Sequence, residues 1–197
     1  MPRPNVEPQR RRQILAAATR VFAQGGLATA RMEDVAAAAG ISKGAIYLYF
    51  PSKEALVLAI VDELYAGDAA RMRAEASGDS AEQRLRSIAH GLAKASTEGR
   101  ALLPLVLDVY SLGARDPTVR ARLDAYFDAY RDEIRDILVA GEASGEMRCP
   151  AGPEAAALAI VAAFEGAFWL WALESATTDL ARAFDDVLTT FVRGIAR

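Results

Sequence analysis

Catalysis needs side chains that can move protons, attack carbonyls or hold metals, and this sequence offers few of them in workable combinations. It contains one histidine, His90, and one cysteine, Cys149. A histidine-based triad or a His/Cys metal cage therefore lacks its parts within one chain. Asp124, Asp128, Asp132 and Asp136 recur at four-residue spacing and would share one helix face. As ligands they would be strung over about three turns, with Arg131 and Arg135 interleaved. A solvated face neutralised by its own arginines is the expected state, with no metal bound. No Walker-type or dinucleotide-type glycine loop occurs. Neither catalysis nor a cofactor is expected. Two other sets of residues carry chemistry: Lys43, Tyr47 and Lys53 in a basic stretch near the N-terminus, and Glu165 among Phe164, Phe168 and Trp169.

Charge separates these two regions. Residues 1–55 hold eight Lys/Arg against four Asp/Glu, whereas residues 56–197 hold fifteen against twenty-two. One end suits a polyanion and the other does not. A lone cysteine excludes an intrachain disulfide framework and fits a reducing cytosol, so an inert thiol and a cytoplasmic location are expected. Arg11-Arg12 superficially looks like an export signal, but Arg20 interrupts the apolar stretch behind it. Ala155 to Leu173 approaches the length of a membrane span, yet Glu165 lies in its middle and acidic Glu154 and Glu174 flank it. A helix buried on all sides, with no membrane partner, is the better reading.

The elements that must position these residues read as helices throughout, because no stretch sustains the alternation of a half-buried strand. The expected fold class is all-α. Ile14, Ala18, Val21 and Phe22 line a first helix that Gly25-Gly26 ends. Short helices follow near 32–39 and 43–49, then a long one near 52–75, with Ser77-Gly78-Asp79-Ser80 as linker. Further helices are expected near 80–97, 101–113, 117–141, 153–175 and 179–196, the last two parted at Thr177-Thr178. The chain is divided into a helix-turn-helix domain with a basic N-terminal arm, 1–55, and a helical ligand-binding and dimerisation domain, 56–197.

Met32 to Phe50 holds the most specific pattern. Val35 and Ala39 give the first short helix an apolar face, Ala36 lets another helix cross closely, and Gly40 permits the positive φ of a tight turn. Ile41, Ile46 and Phe50 close a miniature core. Ser42 caps the second short helix and leaves N–H groups there to face a phosphate. Lys43, Ala45, Tyr47 and Leu48 face outward, where a major groove would lie.

The run Gly40-Ile-Ser-Lys-Gly-Ala-Ile-Tyr-Leu-Tyr-Phe-Pro-Ser-Lys-Glu-Ala-Leu56 resembles the signature of the TetR family of ligand-responsive repressors, and the likeness in detail covers roughly residues 8–60. The resemblance implies that Ser42, Lys43, Gly44 and Ala45 form the first turn of a recognition helix, with Gly44 allowing close approach to DNA. It implies that Tyr47 and Tyr49 contact phosphates or thymine methyls, and that Lys53 contacts a phosphate. Before Met32, where the family often places a capping Ser or Thr, this sequence has Ala30-Arg31. Capping is then expected to shift to Thr29, and Arg31 to reach a phosphate or base edge. Arg3, Arg10, Arg11 and Arg12 are expected to form an arm along the DNA backbone or minor groove.

In the remainder, Leu180, Phe184, Val187, Leu188, Phe191, Val192 and Ile195 form a stripe at helical spacing beside the apolar segment around Phe164 to Leu173. Two such helices from each of two chains would make a four-helix interface, with Leu180, Phe184, Leu188 and Phe191 at its centre; the resemblance implies this arrangement too. Helical bundles hold ligands between their helices, and Leu103, Tyr110, Tyr126, Phe127, Glu165, Phe168 and Trp169 are the candidate lining. Met72, His90, Phe164 and Trp171 are further candidates. Glu165 either faces a lipophilic cation or pairs with an arginine of the protein. The segment Phe164 to Trp169 also looks like part of the choline-responsive branch of the family. The expected function is a homodimeric repressor on a palindromic double-stranded operator, released by a small-molecule effector; the alternative is a DNA-binding protein controlled by a partner or by no effector.

Overall fold

A computed structural model describes residues 6–173 and 179–195. Helices follow one another as α1 Val6–Gly25, α2 Met32–Ala38, α3 Lys43–Tyr49, α4 Lys53–Glu75, α5 Ala81–Glu98, α6 Leu103–Gly113, α7 Pro117–Ser144, α8 Pro153–Leu173 and α9 Leu180–Ile195. The all-α expectation holds. The proposed break at Thr177-Thr178, the flank at Glu174 and the residue Arg3 lie outside the described residues. Arg10, Arg11 and Arg12 are part of α1, so they are not a flexible arm.

Polar caps set the helix starts. Ser52 Oγ accepts from the Ala55 N–H at 3.1 Å, and Ser80 Oγ from the Gln83 N–H at 3.2 Å. Asp116 accepts from Thr118 and Val119 at the head of α7, and Asp179 from Ala181 and Arg182 at the head of α9. Each satisfies amide groups that have no partner inside the helix. Those amide bonds hold the Asp116 carboxyl below its ordinary range.

The chain forms two compact units, Met1–Tyr65 with Ala101–Leu123, and Ala66–Arg100 with Asp124–Arg197. Both are discontinuous in sequence, whereas the sequence reading cuts the chain once, after residue 55, inside α4. In the first unit Ile14, Phe22, Val35, Ile46, Phe50 and Ile60 are buried in one apolar cluster that also takes in Leu105 and Val109 of α6. In the second, Leu85, Ile88, Ile134, Ile160 and Phe164 are buried, and α9 packs against α5 and α8.

Two expectations about the apolar C-terminal helices change. Leu180, Phe184 and Leu188 are buried within the chain, and the Phe184 ring stacks on Phe164 at 4.5 Å. They are core of the second unit and cannot line a partner's surface; only Phe191 of the four stays half-exposed. Helix α8, conversely, is not buried on all sides. Ile160, Phe164 and Trp171 face inward, but Leu158, Leu170 and Leu173 are 54%, 61% and 71% exposed. The stripe on α9 is satisfied by α5 and α8, while a side of α8 that carries three leucines is left exposed. By length and hydropathy α8 passes for a membrane span, as a core helix also does.

Candidate nucleic-acid interface and ligand site

Helices α2 and α3 form a hairpin around Gly40, whose φ of +66° is the left-handed conformation that lets the chain turn within the four residues between them. The cap at Ser42 is as expected: its Oγ accepts from the Ala45 N–H at 3.2 Å. Ile46 and Phe50 are buried, and Ile41 is half-buried beside them. That packing turns Lys43, Tyr47 and Leu48 outward, Tyr47 being 42% and Leu48 85% exposed. Tyr49 is half-buried against the core, on a different side of α3 from Tyr47. Gly44 is helical, and a Cβ added there would meet no atom within 4 Å. Nothing inside the protein requires glycine at that position.

Helix α1 braces both ends of the hairpin. Gln13 Nε2 donates to the Ala39 carbonyl at 2.8 Å, and Arg11 donates to the Tyr49 carbonyl at 3.3 Å while its guanidinium lies 4.3 Å from the Phe50 ring centroid. These bonds satisfy carbonyls that the short helices leave open at their C-termini. Sequence reasoning missed both roles, because residues 26 and 38 positions apart in the chain carry no local signal of meeting.

The lead-in to α2 differs from the expected one. Arg31 itself is the N-cap residue and makes no side-chain cap bond; its backbone N–H donates to Asp34 Oδ2 at 2.9 Å. Thr29 does not cap α2, since its hydroxyl donates to the Gly25 carbonyl. Asp34, three residues into the helix, can take over the stabilising role because its carboxylate reaches back over the first turn. Lys53 Nζ donates to the Ala30 carbonyl at 2.8 Å and lies 3.5 Å from that of Ala28. It ties the start of α4 to the loop carrying Thr29 and Arg31. Asp108 of α6 holds the same loop, accepting from the Leu27 N–H at 2.7 Å.

Lys43 Nζ lies 2.6 Å from Glu33 Oε1, both side chains exposed. Their mutual hydrogen bond lowers the carboxyl pKa and raises that of the ammonium.

The candidate ligand residues fall into separate places. Leu103 and Tyr110 belong to the first unit, where Tyr110 packs on the core. Tyr126, Phe127, Glu165, Phe168 and Trp169 belong to the second. There Tyr126 lies 5.2 Å from Phe127 and 6.3 Å from Tyr130, and Phe168 lies 5.2 Å from Trp169 and 5.9 Å from Trp171, centroid to centroid. Arg100 stands over Trp171 at 4.7 Å, so that ring already has a cation on its face. His90 is exposed, while Met72 and Phe164 are core.

Tyr130 stands out. Only 2% of it is exposed, and its hydroxyl has no hydrogen-bond partner. Burial pushes its pKa well above the usual tyrosine value, with Tyr126 and the Glu165 carboxylate adding to the shift. Helical spacing alone puts Tyr130 on the core face of α7. No periodicity distinguishes a buried tyrosine that has lost its partner from one that has kept it.

The aspartate series on α7 is a solvated face: Arg131 pairs with Asp128, and Arg135 with Asp132 and Asp136. Among the described residues no group of three potential metal ligands comes together. Cys149 is buried, which raises its thiol pKa and keeps it unreactive.

Residues 14–60 match the model for bacterial regulatory proteins of the tetR family, and residues 81–197 match that for the C-terminal region of BetI-type transcriptional repressors. An HTH-type transcriptional repressor of Mycobacterium tuberculosis is 32% identical over 124 residues, 61% of this chain and 61% of that protein. The chain thus aligns with about three-fifths of that relative's length. Among solved structures, a transcriptional regulator from Saccharomonospora viridis in complex with choline superposes with a TM-score of 0.85 at 21% identity, covering 96% of this chain and 99% of that one. The regulator FadR from Bacillus subtilis in complex with stearoyl-CoA gives 0.80 at 23% identity, covering 93% and 98%. Both likenesses are of fold.

Proposed function

The chain belongs to the TetR family of bacterial transcriptional regulators, and on that premise we propose that it is a homodimeric repressor that reads a palindromic operator with α3 and is released by a small-molecule effector. As a member of that family it is a DNA-binding regulator and not an enzyme. The observation that carries the assignment of the DNA face is the outer side of α3. Lys43, Tyr47 and Leu48 are exposed there, beside a glycine that the protein's own packing does not need. A helix presenting a cation, a phenol and an aliphatic group past a glycine suits a major groove, where phosphates, base edges and thymine methyls are all within reach. Ser42 and Ala45 complete the first turn. Thr29 and Arg31 extend the surface on the loop that Lys53 and Asp108 hold, so Lys53 contributes by fixing that loop as well as by its charge.

The dimer is assigned to the exposed face of α8. Leu158, Ala162, Gly166, Leu170 and Leu173 lie along one side, two small residues between leucines, which allows a second helix to approach closely. Phe191 of α9 is half-exposed and extends the same apolar character. A two-fold dimer reads a palindromic site, with half-sites one helical turn or more apart.

The effector site is assigned to the second unit, around Tyr130, Tyr126, Phe127, Glu165, Phe168 and Trp169. A buried hydroxyl without a partner is a cost of about 1–3 kcal/mol that a ligand hydrogen bond would remove. Aromatic rings beside a carboxylate favour a lipophilic cation such as a quaternary amine, and the choline complex of the Saccharomonospora viridis regulator is in keeping with that class. In vitro selection of a DNA site, followed by gel shifts with Lys43→Ala and Tyr47→Ala, tests the DNA face. Unchanged affinity in both variants refutes it. Thermal-shift measurements with choline, a neutral isostere and an acyl-CoA, each with and without the selected DNA, test the effector. Antagonism between DNA and the cation alone is the expected result, because linkage is reciprocal.

A further inference from the structure

Lys43 is the first residue of α3, at the end of the helix where the peptide dipoles point their positive charge. A lysine is electrostatically misplaced there unless something nearby is negative. Glu33 provides that charge from the first turn of α2, at 2.6 Å. Its neighbour Asp34 is used differently, turned back to accept from the Arg31 N–H. Two adjacent acids are thus divided, one bracing the helix start and one holding the cation of the outward face.

We propose that Glu33 is a specificity-determining residue: it keeps the Lys43 ammonium in an internal ion pair on DNA of arbitrary sequence and yields it only where the docked DNA offers an acceptor in its place. The proposal rests on α3 being the DNA-reading helix. Binding to arbitrary duplex is driven by phosphate neutralisation, each freed lysine adding about 0.9 to the salt slope. A lysine already neutralised by a carboxylate contributes little to it. When α3 seats fully on a matching site, a base-edge acceptor or a fixed phosphate can replace the carboxylate, and the ammonium exchanges one partner for another. On a non-matching site the exchange has no acceptor, and the carboxylate stays at the interface facing phosphates. Glu33 thereby lowers affinity for every sequence, and only the correct one compensates.

The test uses the full chain, a short duplex of randomised sequence, and a duplex selected on the wild-type protein. Fluorescence anisotropy across a salt series compares wild type, Glu33→Gln, Lys43→Gln and the double variant. On random duplex Glu33→Gln should bind about three- to tenfold more tightly near ~50 mM salt, with a slope steeper by about one. Lys43→Gln, which leaves the Glu33 carboxylate uncompensated, should bind more weakly than wild type, and removing that carboxylate in the double variant should recover less than Glu33→Gln gains when Lys43 is present, since the larger gain depends on the freed lysine. The ratio of selected to random affinity should fall in Glu33→Gln. An equal gain with and without Lys43 would mean simple repulsion of DNA by a carboxylate, and would overturn the proposal, as would no gain at all. Loss of selected-duplex affinity in Lys43→Gln tests the DNA face separately: if it is absent, that reading fails; if it is present while the cycle is additive, only the role of Glu33 fails.

Discussion

Replacing Gly44 by alanine adds one methyl group to the second residue of α3, where no atom lies within 4 Å of the new carbon. The backbone there is helical, so alanine introduces no strain. Glycine in a helix is about 1 kcal/mol less favourable than alanine, and in a first turn about half of that or more is recovered on substitution. The variant should therefore be about 0.5–1 kcal/mol more stable, a rise in Tm of about 1–4 °C for a chain of this size. DNA seated against α3 would meet the methyl group directly, and overfilling a close contact costs about 1–3 kcal/mol. Affinity for a selected duplex should fall about 5- to 150-fold. Thermal unfolding and anisotropy on the same preparation read both quantities. Gly40→Ala is the contrasting control, because its φ of +66° makes alanine unfavourable by about 1–2 kcal/mol. A Gly44→Ala protein that is destabilised would refute the local geometry. One that is stabilised and still binds DNA fully would refute close approach at this turn.

Leu170→Glu places a charge on a side chain that is 61% exposed in the single chain, so the fold should survive while light scattering shows monomers; a persisting dimer would move the interface off α8. Tyr130→Phe removes a buried hydroxyl that has no partner, so the ligand-free protein should gain up to about 1–3 kcal/mol while its thermal shift with a hydroxyl-bonding effector shrinks. Lower stability in that variant would show that the hydroxyl is satisfied. The Asp116 carboxyl is held below its ordinary range by the amides at the head of α7. The stability it contributes is present above the unfolded-state pKa and is lost as pH falls through the lower folded-state value. Urea titrations of Asp116→Ala and wild type should therefore differ near neutrality and converge in acid; a gap that is independent of pH would count against the cap.

The DNA-reading hairpin was legible in the sequence because its determinants are local. The helical spacing of Val35, Ala36 and Ala39, the turn glycine at 40 and the cap at Ser42 all act within a few residues of one another, and the structure places them as that logic requires. Where a determinant came from elsewhere in the chain, the reading failed. The loop before α2 is held by Lys53 and by Asp108 of α6, neither of them near it in sequence; the cap expected of Thr29 is a local miss, since Asp34 accepts from the Arg31 amide instead. Arg11 looked like a charge for DNA, and it lies on Phe50.

Sequence by itself determined that the chain is helical and where the helices begin and end to within a few residues, since periodicity and capping are properties of short segments. It also determined that α8 and α9 are more apolar than solvent tolerates. Only the tertiary structure decided which of those apolar faces was already used. Leu180, Phe184 and Leu188 are spent on α5 and α8, Leu158 and Leu170 are not, and the buried Tyr130 hydroxyl is left without a hydrogen-bond partner. Hydrophobicity measures how strongly a residue avoids water, not what it meets instead, and that depends on which helices the chain brings together.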